Sequence, residues 1–163
     1  MFDLIGGLPI HPLVVHAVVV LLPLAAVGTV AVALRPSWRG RYGPLVTIAA
    51  ALSVVLIPVA TSSGEALQER VGNPGNHAEL GDQLILFAFP LLILAAALTW
   101  LDRRSRRTGQ PSSRLSSVAV LRTVAGLAVV AALATGVQVY RVGDSGARAA
   151  WGGRVAAANE GDD

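Results

Sequence analysis

Four stretches of this chain run for about twenty residues with almost no charge: Pro12 to Leu34, Gly43 to Ser62, Gln83 to Leu101, and Val118 to Tyr140. A helix of that length crosses the roughly 30 Å of bilayer hydrocarbon and satisfies its own backbone amides on the way. Of the 163 residues 53% are apolar and 14% charged, which leaves too little polarity to clothe a water-soluble domain and too much apolarity for a disordered one. The apolar residues form long Ala/Val/Leu runs and do not alternate, which argues against a β-sandwich or barrel. The expected fold is therefore all-α: one four-span transmembrane domain over residues 1–163, an antiparallel up-down four-helix bundle with a short polar C-terminal tail.

The breaks between spans are marked by Arg35-Pro36-Ser37 and Gly43-Pro44, by the Gly/Asn/Pro segment from Val71 to Asn76, and by Thr108 to Ser113. Met1-Phe2-Asp3-Leu4 has no basic start and no small-residue cleavage site follows, so the first span is expected to be retained. All 13 cationic residues are arginine. Arg35, Arg39 and Arg41 flank the first connection, and Arg103, Arg104, Arg106, Arg107 and Arg114 fill the third. Cytoplasmic connections carry such an excess, which places both termini on the extracytoplasmic side of the plasma (inner) membrane. Arginines bunched beside apolar runs set topology, so the pI of 10.5 does not call for nucleic acid as a partner; the bilayer is the expected one.

With no cysteine, the chain excludes thiol catalysis, disulfides and its own iron–sulfur ligands. Ser62 and Ser63 lack a nucleophile-elbow context, and the glycine run Val142 to Ala147 lacks the strand and the Lys of a phosphate loop. No independent enzymatic activity is expected. The three histidines, in contrast, all fall on the outer side: His11 and His16 head the first span and His77 the third. Five residues turn a helix by about 140°, so His11 and His16 do not chelate one ion from the same face. His16 lies about 7.5 Å deeper than His11, and an ionisable group at membrane depth calls for a partner or a function.

Asn76 and Glu79 read as a capping box, and Ser62 to Glu65 as a similar start to a short surface helix. Gly81 and Ala88 lie near the stripe below His77 and leave room for a side chain or a flat cofactor. Gln138 is placed to bond across helices, and Ala132-x-x-x-Gly136 with Gly126 reads as a close helix contact. Trp38, Trp100 and Tyr140 read as interfacial anchors. The two halves show no convincing match beyond alternating orientation, which counts against a transporter built from repeats.

The run Leu8 to His16, the Ser63-Gly64-Glu65 turn, the segment His77 to Gly81 and the ending Val139 to Ala147 together resemble a bacterial membrane family, the domain of unknown function 2231. The resemblance spans nearly the whole chain, and the paired-His opening is its most specific element. It implies four spans. It also implies a setting near electron transfer, because similar sequences occur fused to Rieske-type iron–sulfur or c-type cytochrome domains. Where those sequences often carry a histidine in the final turn this chain has Asp144, so a four-His site is incomplete here and the carry-over is limited to His11, His16 and His77.

The leading expectation is thus a membrane accessory that holds haem b through an outer-side histidine cluster, with His16 and His77 as the preferred axial pair and His11 beside them. A metal ion is the alternative, with His11, His16, His77, Glu65 and Asp144 as its candidate ligands. A redox protein in the membrane would be the partner, and association with further copies stays open. The competing expectation is a non-catalytic scaffold or anchor subunit with no cofactor, whose His and Glu residues only cap helices.

Overall fold

The computed structural model describes residues 4–5, 8–72, 75–108 and 114–160. Leu4–Ile5 (β1) and Leu8–Pro9 (β2) form a minimal antiparallel ladder, with Leu4 opposite Pro9 and Ile5 opposite Leu8. Five helices follow: α1 (Ile10–Leu34), α2 (Pro36–Val71), α3 (Asn76–Asp82), α4 (Leu84–Thr108) and α5 (Arg114–Glu160). The chain is a membrane protein whose described residues include four helical segments long and apolar enough to cross a bilayer: Ile10–Leu34, Pro36–Glu69, Asn76–Arg107 and Val118–Gly152.

These segments reach further than the apolar runs alone suggest. Gly43-Pro44 does not break the chain; α2 starts at Pro36, where proline suits the first turn, and runs for 36 residues, or about 54 Å. Ser62 to Glu65 lies inside that helix, so the surface helix expected there does not exist. The glycine run from Val142 to Ala147 is helical too, within the 47 residues of α5. Helical hydrogen bonding continues through these glycines because packing against α3 and α1 offsets their low propensity. Asn76 is a helical residue of α3 and makes no capping bond, Gly75 holding the cap position at φ 64°.

The four long helices pack in a ring, α1 on α2, α2 on α4, α4 on α5 and α5 on α1, with short α3 set against α5 and α2. Two apolar clusters fill the ring. One, around Leu22, Ala50, Ala88 and Leu91, lies toward the histidine end; the other, around Val32, Val46, Ala95 and Leu98, lies toward the arginine end. The outward faces carry exposed Val20, Val27, Leu45, Val55, Leu86 and Leu133, the pattern of a bundle whose solvent is lipid. Thr29, Ser53, Thr99 and Thr135 are buried, and each hydroxyl donates to the carbonyl four residues back, so their polarity needs no partner from the bilayer.

Side chains of neighbouring helices press on the backbone at Gly28 and Gly43, where a Cβ would meet those of Val46 and Thr99, respectively, at 2.7 Å. Gly126 and Gly136 face open space instead, so of the small residues Ala132, Gly136 and Gly126 only Ala132 packs into the core of this chain. Gln138 does reach across, its Nε2 donating to Leu80 O at 3.1 Å. At the arginine end, Arg39 is 6% exposed and closes α1: its Nε donates to Val32 O at 2.9 Å and its Nη2 to Ala33 O at 2.8 Å. Trp38, Tyr42 and Trp100 are exposed around it, with Arg35, Arg41 and Arg104 over their rings.

Candidate functional site

Two of the three histidines sit on glycines. His11, in the first turn of α1, lies against the far end of α2: its Nδ1 is 2.9 Å from Ala60 O and 3.4 Å from Ser63 Oγ. The ring rests where Gly64 has no side chain, since a Cβ there would come within 2.9 Å of His11 Cε1. His77, in the first turn of α3, does the same against α5. Its Nδ1 is 3.1 Å from Val142 O and 3.3 Å from Ser145 Oγ, and a Cβ on Gly146 would lie 2.9 Å from His77 Cε1.

A carbonyl oxygen only accepts, so Nδ1 carries the proton in each ring and donates it. In the neutral imidazole Nε2 is then left with its lone pair. Ser63 Oγ and Ser145 Oγ each donate to the same carbonyl as their histidine, at 3.0 and 2.9 Å, which holds the acceptor from a second side. Both rings line one cavity of about 460 Å³ between α1, α2, α3 and α5. Its walls are small or apolar, including Val15, Ile57, Ala78 and Leu84, while Glu65 and Asp82 also line it and Gly81 leaves it open on the α3 side.

His16 is placed elsewhere. It is exposed on the outside of α1, with Nδ1 bonded to Pro12 O one turn back, and it does not line the cavity. Of the three histidines, the structure thus brings His11 and His77, and not His16, to one cavity. The reason is helical phase: five residues from an inward-facing His11 carry His16 round to the lipid side. Asp144 pairs with Arg148 at 3.0 and 3.2 Å and lines a separate crevice on the other side of His77, with Tyr140 and Arg141. Among the described residues no three His, Asp or Glu side chains form a group able to hold a metal ion.

The motifs that build this site, Leu8 to His16, Ser63-Gly64, His77 to Gly81 and Ser145-Gly146, spread across the chain yet meet at one end of the bundle. A model of the family described as predicted membrane protein (DUF2231) matches residues 7–159. The chain belongs to the DUF2231 family. The match takes in both histidine seats and all four candidate spans, so the resemblance and the structure delimit the same unit. No curated protein and no solved structure matches this DUF2231 chain significantly.

What the residues alone did not disclose is the role of Gly64 and Gly146. Read as turn formers, they are in fact helical positions emptied for an imidazole from a neighbouring helix. The available signal was the dipeptide Ser-Gly, which stands at 63–64 and again at 145–146, each time near the end of a span.

Proposed function

We propose that this DUF2231 protein is a membrane-embedded accessory that holds haem b between His11 and His77 and serves electron transfer to a redox partner at the extracytoplasmic face. The observation that carries the reading is the pair of histidines in one apolar cavity, each anchored through Nδ1 to a carbonyl and each with a free Nε2. Ligating histidines are commonly fixed in this way, the second nitrogen donating to a backbone carbonyl that sets the tautomer and ring orientation.

The donor set suits haem better than a bare ion. His11 and His77 would hold haem, which brings the rest of its iron's donors itself, whereas an ion held by protein alone asks for three or four ligands that are not grouped among the described residues. When bound, haem would supply one-electron chemistry; the chain would supply two neutral donors and a mostly apolar wall.

The scaffold reading is favoured by a different observation. The same two histidines join α1 to α2 and α3 to α5, and among the described residues no buried side-chain nitrogen or oxygen lacks a partner, so the polar groups are accounted for without a ligand. Purification in detergent from cells supplied with haem precursor separates the two. A reduced-minus-oxidised spectrum with bis-His bands supports the haem site, and a colourless, metal-free preparation rejects it and leaves the scaffold.

A further inference from the structure

The two histidine seats are the same device built twice. His77 stands 66 residues after His11, and the step Ser145-Gly146 stands 82 residues after Ser63-Gly64. Each half offers a first-turn histidine, a carbonyl acceptor three residues before the serine, and a glycine immediately after it.

These two offsets, fixed by the seats alone, also superimpose the cores. On α1 the buried residues include Val18, Leu22, Ala25, Thr29, Val32 and Ala33; 66 positions on, Leu84, Ala88, Leu91, Ala95, Leu98 and Thr99 of α4 are all buried. On α2 Val46, Ala50 and Ser53 are buried, and 82 positions on so are Ala128, Ala132 and Thr135 of α5. Even the hydroxyl contact recurs, with Ser53 donating to Ala49 O and Thr135 to Ala131 O. The ring of neighbours maps onto itself when the hairpin of α1 and α2 is exchanged with that of α4 and α5. Because a core can be repacked with different apolar residues while its total volume and pattern are kept, Leu22 answering to Ala88 leaves little trace in the sequence.

We propose that the bundle is a duplicated helical hairpin and that the cavity lies on its pseudo-two-fold axis, so that His11 and His77 offer equivalent Nε2 atoms to one ligand. Ser63, Gly64, Ser145 and Gly146 are then the residues that position the two rings. One ligand in the cavity would then be held by His11 and His77 from two sides. This deepens the haem reading and depends on it only for what the ligand is; the equivalence of the seats stands on the protein itself.

The test uses the full chain in detergent micelles, labelled with ¹⁵N at histidine, and reads the tautomer and the Nδ1 proton of each ring by NMR. His11 and His77 are expected to give closely matching signals, with Nδ1 protonated and Nε2 bare. Ser63→Ala, which adds no bulk, is expected to weaken the Nδ1 bond of His11 and leave His77 unmoved, and Ser145→Ala the reverse. Gly64→Ala and Gly146→Ala are expected to displace the same rings more strongly. A seat variant that leaves its own histidine unchanged, or wild-type rings in different tautomers, overturns the duplication. Added haem is expected to shift both rings together at one haem per chain, with each serine variant lowering affinity by a similar factor of about tenfold. Haem that moves one ring only overturns the shared site. A wild-type chain that takes up no haem, while passing the tautomer test, overturns the haem assignment and leaves the duplicated seats in place.

Discussion

The backbone of α2 touches Thr99 of α4 at Gly43, where a Cβ would stand 2.7 Å from Thr99 Oγ1 and 3.1 Å from its Cγ2. Thr99 is 7% exposed, donates to Ala95 O at 2.9 Å and meets Thr47 Oγ1 at 3.4 Å, so its hydroxyl is held from two sides and has little freedom to yield.

Gly43→Ala should therefore force the two helices apart. The expected loss is about 1–3 kcal/mol, the range for overpacking a close contact. Gly136→Ala is the control, because a methyl there meets nothing within 4 Å and gains helix propensity of about 1 kcal/mol. Thermal unfolding in detergent followed by helical circular dichroism should show the midpoint fall for the first variant and hold or rise for the second. Equal midpoints would mean that α2 and α4 do not pack at this depth.

Arg39 offers a polar counterpart. Its guanidinium donates to two carbonyls at the end of α1, which the helix leaves without donors, and it interacts with the charge of Asp102, itself 5% exposed and bonded to Arg106 at 2.8 Å. Arg39→Met keeps the aliphatic stem but removes both donors and the charge. Stability should fall by about 2–4 kcal/mol, because the carbonyls of Val32 and Ala33 both lose a charged donor. The same change at exposed Arg41 should stay within about 0.5 kcal/mol, and denaturation in a mixed-micelle series would show both.

Histidine substitutions should divide by helical phase and not by depth. His11→Ala and His77→Ala each remove a bond between helices, worth about 1 kcal/mol, and one side of the cavity. His16→Ala removes only a bond within α1 and should leave both stability and any bis-His spectrum as in the unaltered protein. A spectrum lost with His16 and kept without His11 would return the site to the pairing that the sequence favours.

That reversal shows where legibility ended. The four apolar runs announced the four candidate spans because length against bilayer thickness is a one-dimensional constraint, readable without contacts. Gln138 was legible for a similar reason, as an amide at that depth must bond across helices, and it does, to Leu80 O. Which of His11 and His16 faces inward depends on the rotation of α1 about its axis, and α1 is apolar nearly all round, so its own sequence fixes no phase. The helical glycines were misread as turns because in water they would break a helix, whereas here neighbouring helices hold them in register.

Sidedness is the last expectation, and the chemistry proposed for the cavity depends on it. Four crossings, one for each candidate span, would bring the start of α1 and the end of α5 to one face, and His11 at the start of α1 and His77 against Val142 of α5 lie at that end of the bundle. Arg35, Arg39, Arg41, Arg103, Arg104, Arg106 and Arg107 lie at the other, and cytoplasmic connections are the ones that gather such charge. Alkaline phosphatase fused at either terminus should accordingly be active, and inactive when inserted between residues 109 and 113. The opposite pattern would set the histidine pair at the cytoplasmic face, where an extracytoplasmic redox partner could not reach it. Replacing Arg103, Arg104, Arg106 and Arg107 together by Gln should produce a mixed orientation, because the third connection then keeps only Arg114 of its five arginines.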